Sequence, residues 1–121
     1  MSPVAYRIAS HLKVLPRRFL IEHANGPRPV IRGPEEMTRR CLLGMELIRY
    51  DWAPASHHTG FPKATVLTEQ GREVVCIILG HYADALTARQ FRKIIESPSI
   101  VSRIEQELAI ARQWQAERLV F

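Results

Sequence analysis

The chain has 121 residues, 46% hydrophobic and 24% charged, a composition that fits one packed globular domain and excludes a disordered chain or two full domains. Its net charge of +5 points to an anionic partner such as nucleic acid. The longest apolar run, Val74-Val75-Cys76-Ile77-Ile78-Leu79, falls far short of the ~18–20 residues of a membrane-spanning helix, so no membrane role is expected.

The charge is unevenly placed. Residues 1–40 hold eight basic and three acidic side chains, whereas residues 41–121 hold nine of each. The surplus therefore lies in the first third of the chain. The first 21 residues carry no acid, a composition shared with mitochondrial transit peptides. Pro16 interrupts a helix there and no Ser-rich stretch is present, so a cytoplasmic protein is expected. Cys41 and Cys76 both stand among apolar residues, as buried free thiols do in a reducing compartment.

Ser2-Pro3 starts a helix over 3–14, with Ser as the cap and Pro at the first helical position. Val4, Ile8, Leu12 and Leu15 recur at helical spacing and predict its buried stripe. Pro16 opens a second helix, which Asn25-Gly26 closes. Residues 26–34 contain three prolines and two glycines and exclude a continuous helix. Val30-Ile31-Arg32 is a short strand candidate. Pro34 starts a helix over 34–44, with Glu35 and Glu36 in the dipole-favoured first turn. Met37, Cys41 and Met45 recur every four residues and predict its inward face. Gly44 is expected to release the chain into a strand.

Ile48, Tyr50 and Trp52 alternate along 47–52 and predict a strand. A loop over 53–62 and a second strand over 63–67 complete a hairpin with a long tip. Thr68 is expected to cap a helix over 69–86 whose buried side includes Val75, Ile78, Leu79, Tyr82 and Leu86. Thr87 and Gln90 form a capping box for a short helix containing Phe91, Ile94 and Ile95. Ser97-Pro98 starts a last helix over 98–119, with Ile100, Ile104, Leu108, Ala111 and Trp114 on one face.

The run Leu67-Thr68-Glu69-Gln70-Gly71-Arg72-Glu73 resembles the signature that follows the wing in MarR-like and related bacterial winged helix-turn-helix regulators. Met45-Glu46-Leu47-Ile48-Arg49-Tyr50 is similar to the passage from their recognition helix into the first wing strand. Physical roles accompany the letters: Leu67 packs under the wing, Thr68 caps the next helix, and Gly71 permits a close approach. The resemblance is sharpest over 34–86 and implies a mainly α fold with a small antiparallel hairpin. Residues 1–86 would form the DNA-binding domain and 87–121 a C-terminal helical extension. The long segment 25–33 departs from the family pattern. Either 30–32 is the family's extra strand and one helix is shortened or missing, or the turn between helices is enlarged.

The resemblance further implies that helix 34–44 enters the major groove of double-stranded DNA. With Met37, Cys41 and Met45 inward, Arg39 and Arg40 face outward and read bases or hold phosphates, since the Arg fork matches guanine O6 and N7. Thr38 and Arg32 are further contacts. His57, His58 and Lys63 sit at the wing tip, Lys63 being charged at neutral pH, and Arg17 and Arg18 extend the footprint. Balanced charge makes 98–119 a poor nucleic-acid arm; its apolar stripe, with the resemblance to regulators whose terminal helices pair, implies a homodimer through 87–121, with Ile100, Ile104, Leu108, Ala111 and Trp114 at the interface and two helices presented to half-sites about 34 Å apart. A protein-interaction module on the same scaffold, without DNA, is the rival reading. Neither a Cys-x-x-Cys pair nor a phosphate-cradling glycine loop nor a nucleophile turn occurs, so no metal, cofactor or enzymatic activity is expected.

Overall fold

A computed structural model describes residues 3–31, 33, 35–51, 64–80 and 88–119. The elements are helix α1 (Pro3–His11), α2 (Val14–Glu22), a short 3-10 turn (His23–Asn25), strand β1 (Arg28–Pro29), α3 (Glu36–Gly44), β2 (Ile48–Asp51), β3 (Ala64–Leu67), α4 (Glu69–Ile78), α5 (Ala88–Glu96) and α6 (Pro98–Leu119). The architecture is mainly helical with a small antiparallel sheet in the order β1-β3-β2.

The first helix ends earlier than its periodicity predicts, and Leu12-Lys13 separates it from α2. Its buried face is also different. Ala5 and Ala9 enter the core, while Val4 is 54% and Leu15 47% exposed. Small residues let α1 lie close against α4, with Ile8 and Leu12 packing at the edge. The β1 strand falls at Arg28–Pro29 rather than at 30–32, pairing Arg28 with Thr65 and Pro29 with Ala64. Proline is admissible because β1 is an edge strand, where a missing N–H breaks no central ladder. A single helix, α3, separates β1 from β2 among the described residues.

The β2–β3 pair aligns Ile48 with Leu67 and Asp51 with Ala64, as the hairpin reading requires. Its tip, with His57, His58 and Lys63, lies outside the described residues, as do Trp52, Tyr82, Leu86 and Thr87. The α4 helix stops at Ile78, short of the expected 86, and Gly80 follows at φ 81°. Only glycine adopts that conformation freely.

One core runs through the whole array. Leu20, Ile21, Leu42, Leu47, Val74 and Val75 are fully buried, and the cluster continues to Phe91, Ile95, Ile100 and Ile104. The terminal helix α6 packs on α2. The stripe expected at a dimer interface is therefore spent inside the chain: Ile100, Ile104 and Ala111 are buried and Leu108 packs against the same core. This corrects the homodimer assignment for those four residues. The side chain of Trp114 lies outside the described residues.

Candidate nucleic-acid interface

The turn from α3 into β2 is built by backbone bonds and then fastened by α4. The Leu47 N–H donates to the Leu42 carbonyl at 3.0 Å and the Glu46 N–H to Leu43 at 3.0 Å, the paired bonds of a Schellman turn. The left-handed position falls on Glu46 at φ 58°, not on Gly44, whose missing side chain faces open space. The expectation for Gly44 is thus corrected: the chain leaves the helix through a non-glycine residue.

Residues 68–71 explain how that position is held. The Thr68 hydroxyl donates to the Glu46 carbonyl and accepts from the Gly71 N–H, the latter at 3.0 Å. Gln70 Nε2 donates to the Met45 carbonyl at 2.9 Å, and the Thr68 N–H to Leu47 at 3.0 Å. A Cβ on Gly71 would sit 1.9 Å from the Leu47 carbonyl oxygen, which leaves no room for any other residue. The threonine and glycine of the signature therefore fix the exit angle of α3. Beside them, Leu43, Glu46, Arg49 and Gln70 line a shallow depression.

The faces of α3 depart from the expected ones at Met37, Cys41 and Arg39, while Arg40 stands outward and Met45 packs against the core as expected. Arg39 is 5% exposed and Leu42 fully buried, whereas Met37 is 73% exposed and Cys41 lies on the surface. Spacing of four marks a face but not its direction, and here the core takes Leu42 together with the long aliphatic stem of Arg39. Arg39 is accordingly no surface reader. Its Nη1 donates to the Ile31 carbonyl at 3.2 Å, while its Nε is buried without a partner. The outward face holds Met37, Arg40 and Cys41, with Thr38 half-buried.

Most of the described cations in the N-terminal third are engaged. Arg40 pairs with Glu36 at 3.0 Å and remains exposed. Arg17 reaches across to Glu107 on α6 at 2.9 Å. Arg18 pairs with Glu22 at 3.2 Å, and Glu22 also holds Arg28 at 3.0 Å. Arg28 lies 3.7 Å from Glu35 and 5.6 Å from the Phe19 ring centroid. The sequence places Arg17, Arg18 and Arg40 in a footprint; the structure ties Arg17 into a contact between α2 and α6 and pairs Arg18 within α2. Arg32 and Lys63 lie outside the described residues.

His23 anchors the sheet to α2. Its Nδ1–H donates to the Phe19 carbonyl at 2.8 Å, which leaves Nε2 to accept from the Thr65 hydroxyl at 2.7 Å. Burial pushes its pKa below 6.5, aided by the Arg28 charge and opposed by the Phe19 bond and Glu22. Burial also raises the Cys76 thiol to about 11, with Glu73 adding and Arg72 opposing. Sequence reasoning missed Arg28, exposed Arg49 on β2, and three exposed cations on α5, Arg89, Arg92 and Lys93. The last were legible as neighbours at helical spacing around Phe91 and Ile95.

Among the described residues, no group of His, Cys, Asp and Glu is placed to hold a metal ion, and no helix is long and apolar enough to cross a membrane. No known protein family, curated protein or solved structure matches the chain.

Proposed function

We propose that this chain binds double-stranded DNA in the manner of a winged helix-turn-helix transcriptional regulator and represses by occupying its site. The observation that supports the reading is the placement of α3. The residues 68–71 fasten its C-terminal turn beside the β2–β3 hairpin, with Arg40 on its free face. Arg40 would enter the major groove, and its exposed pair with Glu36 would yield at little cost, since surface ion pairs contribute about 0–1 kcal/mol. Exposed Arg49 would contact phosphate, and Thr38, Arg32, Lys63, His57 and His58 are further contacts expected from the sequence. The test is duplex binding followed across a salt series, joined to a selection of genomic fragments. Log affinity should fall against log salt by about 0.9 per phosphate contact, and Arg40→Ala should cost ~1–3 kcal/mol at a selected site. Absence of duplex binding at low salt overturns the reading.

The second reading is a protein-interaction module on the same scaffold. It is favoured by the burial of Arg39 and by the exposure of Met37 at 73% and Ile31 at 63%, the former on the same face of α3 as Arg40. A fragment selection that enriches no sequence, with no low-salt affinity, would favour this alternative.

A further inference from the structure

We infer that α5 is a second phosphate-binding surface, one that engages the nucleic-acid backbone independently of sequence. The inference rests on the DNA-binding reading above and extends it to a region where the charge count of the chain is neutral. In α5 the apolar and cationic residues separate cleanly. Phe91 and Ile95 are 7% and 9% exposed and join the core, with Ile94 beside them. Arg89, Arg92 and Lys93 are exposed. They stand three and four residues apart, so their side chains rise from one face. Arg89 and Lys93 are separated by about 6 Å along the axis, at 1.5 Å per residue.

Three cations on a solvated helix would carry no argument if acids neutralised them. They do so for Arg17, Arg18, Arg28 and Arg40, each with a carboxylate within ion-pair distance, while Arg7, Lys13, Arg49, Arg103 and Arg112 are exposed but scattered singly. Among the described residues no carboxylate lies that close to Arg89, Arg92 or Lys93, and Glu96 is the one acid on α5. Part of the sequence surplus is thus consumed internally, while α5 gathers three exposed cations within five residues. Long flexible cations with exposed heads suit phosphates better than base edges, because phosphate binding needs charge and reach but little geometry. The apolar face of α5 is already covered by the core, which leaves the cationic face as the part available to a partner.

The experiment compares the full chain with Arg89→Gln/Arg92→Gln/Lys93→Gln in duplex binding by fluorescence anisotropy across a salt series. A second variant, Arg103→Gln/Arg112→Gln, removes exposed cations of α6 and serves as the control. Thermal melting checks that both variants fold. The α5 variant should bind more weakly at low salt, and its log–log salt slope should be shallower by about 0.9 for each phosphate no longer neutralised. The control should keep the wild-type slope. A wild-type slope in the α5 variant overturns the inference and leaves the DNA-binding reading standing. Failure of the unmodified chain to bind any duplex overturns both. Equal weakening in the α6 control also overturns it, since net charge alone would then account for the effect. A polyglutamate probe that binds the unmodified chain and not the α5 variant, while duplex affinity is retained, would overturn it too and assign the face to an acidic protein instead.

Discussion

Helices α3 and α5 have nine residues each, and both carry adjacent or near-adjacent cations. In α3, one arginine is drawn under the helix and the other is paired. In α5, all three cations stand in solvent without a partner among the described residues. The difference lies in what the opposite face offers. Phe91, Ile94 and Ile95 supply enough apolar surface to bury α5 by themselves. Around α3, Leu42 is fully buried while Leu43 and Met45 are only partly so, and the stem of Arg39 fills the remaining space. On α5 the basic residues stay at the surface because apolar neighbours fill the buried face, whereas on α3 one of the two arginines supplies part of that filling.

The largest effect should come from the junction that orients α3. Gly71→Ala places a methyl on the Leu47 carbonyl, and overpacking of this kind costs about 1–3 kcal/mol or more. A drop in the denaturation midpoint with an altered α3 exit would be expected; an unchanged midpoint would show that the junction has slack. Matched substitutions test the contrast between the two helices directly. Arg39→Ala should cost ~1–3 kcal/mol through weakened packing, whereas Arg92→Ala should lie within about 0.5 kcal/mol of wild type. Arg39→Met keeps the stem and removes a poorly partnered buried charge, so it should be neutral or stabilising. Equal destabilisation at positions 39 and 92 would erase the distinction between the helices.

A pH series addresses the tie between α2 and the sheet. The folded pKa of His23 is lowered from 6.5, so below 6.5 the unfolded chain takes up a proton that the native ring resists. Stability contributed by the neutral ring is present above pH 6.5 and is lost as pH falls through the window down to the lowered folded value. His23→Gln should flatten that decline in chemical denaturation. A modest gain belongs to Glu46→Gly. Relief of a left-handed side chain, worth roughly 1–2 kcal/mol, is partly offset by the extra freedom of glycine in the unfolded chain, so a gain of about 1 kcal/mol or less is expected in denaturant melts.

Part of the local structure was legible in the sequence. Thr68 and Gly71 perform the jobs their positions imply, and the hairpin pairs as its alternation requires. These follow from neighbours a few residues apart. The faces of helices were less legible. Met37 and Cys41 resemble a core stripe, yet the periodicity is equally satisfied by the opposite side once an arginine stem counts as apolar. The stripe on α6 was correctly apolar, but its partner is α2, some ninety residues earlier in the chain, and no local pattern encodes which surface an apolar stripe will meet. The pairing of Arg17 with Glu107 across the same distance escaped for that reason.

Cys41, expected in the interior, is a surface thiol on α3, while Cys76 is buried. Two copies meeting in air can join through their Cys41 sulfurs, with no complementary surface between them. A covalent pair formed that way would mimic a native dimer in sedimentation and would mask the face proposed to enter DNA. Assembly and binding measurements on this chain should therefore be made under reductant, with Cys41→Ser as the reference.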